Sequence, residues 1–254
     1  MATRLRLNRP PGRQPLRRAG TWGRLTWADA AEHAWALVAL WLALGALAGR
    51  AATLPAGGWL PDRAWDEPWR WWSAAFVHLS DGHLAANVVG CAVVGAFGQF
   101  GARAVDAAPT GAASAGAATP GAAVAGHWAL AWLAAWPLTH GLLLAEPRLA
   151  GYAGLSGVLH AGVAVAALGL VVQGRGLARA IGAAVMAGLV VKLVLEQPWR
   201  APVRTLAQWD VPVAVAAHAS GAVAGLACAA VLLLARRHAT MRASRPRTGH
   251  TDPP

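Results

Sequence analysis

The chain has 254 residues, 56% of them hydrophobic and only 13% charged, with a mean hydropathy of +0.41 and a net charge of +11. Such a composition excludes a disordered chain, which combines low hydrophobicity with dense charge. It also excludes a nucleic-acid binder, whose basic residues interleave with polar surface instead of gathering at chain ends. An integral membrane protein remains, and its 29 glycines suit helices that pack closely in a bilayer.

Residues 1–30 form a polar start carrying Arg4, Arg6, Arg9, Arg13, Arg17, Arg18 and Arg24. The first apolar segment spans roughly Ala34 to Ala48, short for a crossing of about 20 residues. Ala46-Leu47-Ala48 resembles a signal-peptide cleavage site, but the long polar leader favours a retained helix. Five further segments follow: Gly82–Phe100, Ala122–Ala145, Tyr152–Val172, Ala178–Leu195 and Val213–Leu234. The expected fold is an all-α membrane bundle of six transmembrane helices over residues 31–235. Residues 107–121, rich in Ala, Gly, Pro, Thr and Ser, read as a flexible connector. The basic, Pro-containing stretch 236–254 reads as a disordered tail. Cys91 and Cys228 lie inside apolar segments with no CxxC, as small core residues do.

Basic residues set the orientation. With both termini inside, the inner side carries the seven leader arginines, Arg103, Arg175, Arg179, Arg236, Arg237, Arg242, Arg245 and Arg247. The outer side carries Arg50, Arg63, Arg70, Arg148, Arg200 and Arg204. The termini and the 107–121 connector are therefore expected in the cytoplasm. Trp59, Trp65, Trp69, Trp71 and Trp72 crowd the first outer loop, and Trp199 and Trp209 the last, as fits residues seated at the headgroup level. Trp128, Trp132, Trp136 and His140 recur every four residues and read as a packing stripe on one face of the third helix.

Ionisable and polar groups within a bilayer are costly, so each is a candidate for function. The second helix opens on His78-Leu-Ser-Asp-Gly-His83 and continues to Asn87. The fourth carries Gly154-Leu-Ser156-Gly157 and then His160. The sixth carries His218, Gly221 and Gly225. All three run from outside to inside. At 1.5 Å per residue Ser156 and His218 sit roughly 6–9 Å below the outer edge, with His83 and Asn87 at a similar depth. A serine hydroxyl needs a base within hydrogen-bond reach to become a nucleophile, and His218 can be that base. Gly157, Ala161, Gly221 and Gly225, at four-residue spacing, permit the close helix contact this requires. His83 and Asn87 share a face and can donate to an oxyanion alongside the Ser156 backbone N–H. The second, fourth and sixth helices hold no acidic residue at this depth, so a Ser–His dyad is expected, with no metal and no cofactor.

These motifs resemble the rhomboid family of intramembrane serine proteases over about 180 residues, from the first helix to the sixth. The carriers are His78-x4-His83-x3-Asn87, Gly154-Leu155-Ser156-Gly157 and His218-x2-Gly221-x3-Gly225. The resemblance implies Ser156 as nucleophile, His218 as general base, and His83 and Asn87 lining the oxyanion hole. Trp69-Arg70 is similar to a loop motif of the family in which the arginine is structural. Gly154 to His160, together with Lys192 and Glu196-Gln197, resembles the rhombosortase branch. That branch implies a bacterial inner-membrane protease with a site open to the outer face. Its substrates carry a C-terminal Gly-Gly motif, a membrane helix and a basic tail. The 107–121 connector departs from the branch as an insertion. His160, on the Ser156 face but deeper, is read as structural or substrate-contacting in preference to general base. Lys192 and Glu196 are placed to pair with each other or to touch substrate. The alternatives are a non-catalytic relative that binds membrane helices, although both Ser156 and His218 are present, and a haem-bearing or transporting protein.

Overall fold

The structure is a computed structural model that describes residues 27–106, 120–207 and 209–243. Six of its helices are long and apolar enough to cross a membrane. They are α1 (Ala34–Ala48), α2 (Asp81–Asp106), α3 (Pro120–Leu142), α4 (Ser156–Gln173), α5 (Gly176–Glu196) and α6 (Val215–Ala243). The protein is an all-α, six-helix, multi-pass membrane protein, as its composition required. Helices satisfy their own backbone polar groups, which is what an apolar chain needs where water is absent.

The helix boundaries depart from the sequence pattern where tertiary contacts intervene. α4 begins at Ser156, not Tyr152. Tyr152 is held in an antiparallel bridge with Trp59, with backbone N–H···O distances of 2.8 and 2.9 Å, so it cannot join a helix. Gly154 then takes φ +121°, a conformation open to glycine and costly for other residues. α6 begins at Val215 because Val213 pairs with Arg204. At its other end α6 runs on to Ala243, so the basic stretch from Arg236 starts as helix instead of as a disordered tail. No Gly or Pro falls between Arg236 and Pro246. A short helix, Trp27–Glu32, precedes α1 within the polar leader. The rest of that leader, residues 107–119 of the expected connector and the end of the tail lie outside the described residues; Pro120 already opens α3.

α4 is the central helix, with 61% of its span buried, whereas only 11% of α5 is. The tryptophan stripe on α3 faces this centre. Trp128, Trp132, Trp136 and His140 are all buried. Trp132 stacks on Trp35 of α1 at 5.0 Å between ring centroids. Two of these indoles find partners: Trp132 Nε1 donates to the Val158 carbonyl at 2.8 Å and Trp128 Nε1 to Gln173 Oε1 at 3.1 Å. Cys91 is buried in the same core, and Cys228 packs against it.

The loop between α1 and α2 folds back as a cap. Arg70, 3% exposed, donates to the Gly58 carbonyl at 2.7 Å, to the Pro55 carbonyl at 2.8 Å and to the Glu67 carboxylate. The guanidinium beside Glu67 holds that carboxyl below the usual range. Ser73 Oγ donates to the Gly57 carbonyl at 2.7 Å. Thus fixed, the loop lets the Ala74 carbonyl accept from the Gly154 N–H at 2.8 Å, just before α4. Arg70 supports the loop and does not line the cavity described below.

α4 and α6 meet backbone to backbone. A Cβ on Gly221 would lie 1.9 Å from the Gly157 carbonyl oxygen, and one on Gly225 2.3 Å from that of Ala161. The small residues at four-residue spacing therefore make the close contact expected of them. Gly221→Val should force the two helices apart and destabilise the protein by about 3 kcal/mol or more. Thermal unfolding in detergent micelles checks this, and an unchanged Tm would contradict the contact.

Candidate active site

Each sequence-selected group reaches the site through local structure. Ser80 caps α2: its Oγ accepts from the His83 N–H at 3.1 Å and donates to Asp210 Oδ1 at 2.9 Å, tying the α2 start to the loop between α5 and α6. His83 and Asn87 then follow one turn apart. The positive φ at Gly154 ends the strand-like approach of residues 151–153 and places Ser156 as the first residue of α4. The sequence pattern had put it a full turn inside. His218 lies in the first turn of α6, and Lys192 and Glu196 in the last turns of α5.

These ends converge on one cavity of about 790 Å³. His83, Asn87, Ser156, His160, Lys192, Glu196 and His218 all line it. It sits where α2, α4 and α6 begin and α5 ends. Leu206, Trp209 and Val211 to Ala214 of the last loop close over it.

His218 is 4% exposed, and its Nδ1 lies 2.8 Å from Glu196 Oε2. A carboxylate only accepts, so Nδ1 carries a hydrogen, and in the neutral ring Nε2 keeps its lone pair. Lys192 Nζ donates to the other carboxylate oxygen, Oε1. No acidic residue stood at this depth in α2, α4 and α6, and α5 brings one. His218 thus has a carboxylate partner beside it, in addition to the Ser–His pair that the sequence suggested. Lys192 and Glu196 do pair, but Glu196 also reaches His218. The sequence held one signal for this: both lie in the last turns of a helix that ends where the helix of His218 begins.

His160 lies flat against His218, with 4.1 Å between ring centroids and 12° between planes. Its Nδ1 is 2.6 Å from the Ser156 carbonyl oxygen, its own helix's i−4 acceptor. One face of the His218 ring is thereby packed against a second imidazole. Their sequence separation of 58 residues hides this contact completely.

Opposite them, the His83 ring and the Asn87 amide lie against Gly154. A Cβ there would come within 2.7 Å of His83 Nε2 and 3.7 Å of Asn87 Nδ2. The Leu79 N–H points at His83 Nδ1 at a long 3.5 Å, which leaves Nε2 as the protonated nitrogen. Asn87 spends one amide hydrogen on the His83 carbonyl at 3.1 Å and retains a second. The first-turn amides of α4 have no helical acceptors of their own and add positive dipole at Ser156. His78 stands behind His83 at 5.1 Å between centroids, its Nδ1 on the Phe76 carbonyl. It does not line the cavity, and burial pulls its pKa down, so it remains neutral.

Tyr152 braces the nucleophile's turn. Its hydroxyl donates to the Gly154 carbonyl at 2.6 Å, accepts from the Gly157 N–H at 3.1 Å and touches the Ser156 side chain. Burial pushes the phenol's pKa up and keeps it a donor. Among the described hydrogen bonds none joins Ser156 Oγ to His218. Bonds of this kind commonly close only as substrate fills a site. His160, Glu196 and His218 each bring one ligand atom to within 4.8 Å of the others, and they are the group among the described residues that could hold a metal ion.

No family model, curated protein or solved structure matches the chain. Tyr152→Phe should leave the Gly154 carbonyl and the Gly157 N–H unpaired and buried, costing about 1–3 kcal/mol. A lowered Tm, measured against wild type in the same micelles, is the expected outcome.

Proposed function

We propose that the protein is an intramembrane serine endopeptidase of rhomboid type. The observation that carries this is the convergence of Ser156 and of a His218 already oriented by Glu196 on one cavity, opposite His83 and Asn87. The fold is compatible with many functions, but this set of side chains supplies each part that acyl transfer needs.

In this reaction Ser156 Oγ attacks a substrate carbonyl carbon while His218 Nε2 takes its proton. The carbonyl oxygen becomes an oxyanion and accepts from His83 Nε2–H, the free Asn87 amide hydrogen and the Ser156 N–H. Glu196 holds the imidazole in the required tautomer and stabilises its charged form, as the carboxylate of a Ser-His-Asp triad does. His218 then returns the proton to the leaving amine. A water molecule enters the cavity, loses a proton to the same nitrogen and attacks the acyl-enzyme, and His218 passes that proton to the departing Ser156 Oγ.

The substrate is a membrane-anchored protein cut in or near its transmembrane segment, because the cavity lies at one end of the membrane-crossing helices. The basic residues at the termini favour a cytoplasmic position for both ends and a site open to the outer face of a bacterial inner membrane. The Gly154 to His160 motif and the Lys192–Glu196 pair support rhombosortase-type substrates with a C-terminal Gly-Gly motif, a helix and a basic tail.

Ser156→Ala should abolish cleavage of a co-reconstituted Gly-Gly-tailed substrate, and labelling by a fluorophosphonate, while the protein stays folded. His218→Ala should lower cleavage by about 10^4-fold or more. Retained cleavage in purified Ser156→Ala protein overturns the mechanism. Absent labelling of the wild type would favour a non-catalytic protein that binds membrane helices.

Glu196→Gln should lower the cleavage rate by on the order of 10^3- to 10^4-fold, because an amide can hold the wrong His218 tautomer. Its KM should change far less than its kcat. A rate within a few-fold of wild type would return the site to a simple Ser–His pair.

A further inference from the structure

The stacked histidines do more than pack. His160 Nδ1 faces a carbonyl oxygen and His218 Nδ1 faces a carboxylate, so each must carry a hydrogen there. In its neutral form each ring then keeps its Nε2 lone pair for another partner. They lie stacked face to face at 4.1 Å, from α4 and α6. Glu196 of α5 completes a group in which one ligand atom from each residue lies within 4.8 Å of the other two. The cavity in front leaves room for water in a fourth position.

From this we infer that His160, Glu196 and His218 form a Zn2+ site, and that the ion inhibits the enzyme. Two imidazoles and one carboxylate match the donors Zn2+ takes, whereas Ca2+ and Mg2+ require oxygen throughout. A zinc ion on His218 engages the imidazole that must accept the Ser156 proton, so metal occupancy and serine chemistry exclude each other. Three contacts oppose the ion. The two rings must turn out of their stack for their lone pairs to meet at one ion, and Glu196 must leave the Nδ1 edge of His218. Lys192 bonds to the same carboxylate, and its ammonium must leave before a dication can approach. Its side chain is 46% exposed, so it can swing into the cavity mouth. Lys192 therefore weakens the site, which keeps the ion exchangeable. Binding stands on the geometry alone; the inhibition rests on the proposed protease reading.

The test has two arms. In the first, full-length Ser156→Ala protein in micelles, stripped with EDTA, is titrated with Co2+ and followed by visible absorption, with Zn2+ then competing. One Co2+ should bind per chain. His160→Phe, which keeps the aromatic stack, and Glu196→Gln, each in the same background, should weaken binding about 10- to 100-fold or more. Lys192→Met should tighten it. Thermal melts confirm that the variants are folded, and either of the first two suffices if the other is not. In the second arm, Zn2+ should inhibit cleavage by the wild type, EDTA should restore it, and His160→Phe should raise the inhibitory concentration by a similar factor, each variant scaled to its own metal-free rate. Absence of saturable one-to-one binding overturns the site, as does binding unaffected by both His160→Phe and Glu196→Gln. Zn2+ stimulation of cleavage overturns the inhibitory role and the serine mechanism together. Metal binding lost in the variants, with no cleavage under any condition, upholds the site and removes the protease.

Discussion

The backbones of α4 and α6 touch at Gly157 and Gly221, and the candidate site depends on that contact. With no side chain between them, the two helices approach until a single added carbon would overlap a carbonyl oxygen. Only at such a separation can a serine on one helix and a histidine on the other share a cavity wall. The hydrophobic effect cannot drive this association inside a bilayer, because lipid tails are as apolar as the helices. Close van der Waals packing of small residues has to supply it. Gly225 and Ala161 repeat the arrangement one turn further in and set the crossing along its length. His160, one turn beyond Ser156, is carried against the His218 ring by the same approach.

A second constraint fixes the serine itself. The turn at Gly154 is held from three directions: by the Ala74 carbonyl of the α1–α2 loop, by the Tyr152 hydroxyl, and by its own positive φ. That loop is in turn held by Arg70, whose guanidinium gathers two carbonyls and the Glu67 carboxylate. Hydrogen bonds and the short backbone between them therefore link an arginine outside the cavity to the turn that precedes α4. This gives Arg70 a structural role with a definite route to the site. α5 stands apart from this rigidity. It is the least buried of the six helices, yet it carries the carboxylate that orients His218.

Much of the fold was legible in the sequence. Six apolar stretches announce six helices because a membrane leaves the backbone little alternative, and the tryptophan stripe on α3 follows from helical periodicity. His83, Asn87, Ser156 and His218 were singled out because polar groups are expensive in such segments, and all four line the cavity. Helix starts were less legible. Tyr152 and Val213 have helix-compatible sequence around them, but each is claimed by a backbone bridge, Tyr152 to the distant Trp59 and Val213 to Arg204 across a loop. Propensity loses to a paired N–H and C=O. The stretch from Arg236 erred the other way: its basic composition suggests disorder, while its lack of helix breakers lets α6 continue.

The partner of His218 was not legible. A search for an acid on the helices that bear the serine and histidine finds none, because the carboxylate comes from α5, 22 residues before the histidine. The i, i+4 spacing of Lys192 and Glu196 suggests a sufficient local pair. Which of its oxygens a carboxylate shares, and with whom, depends on how α5 leans against α6, and helical periodicity does not encode that. The sequence by itself determined that the chain crosses a membrane as helices and that a thin layer of His, Asn and Ser interrupts its apolar segments. Both follow from the cost of polar groups in hydrocarbon, which acts residue by residue. Only the tertiary structure decided that Glu196 orients His218 and that His160 lies flat upon it, because those contacts join residues on different helices and exist only once the helices have packed.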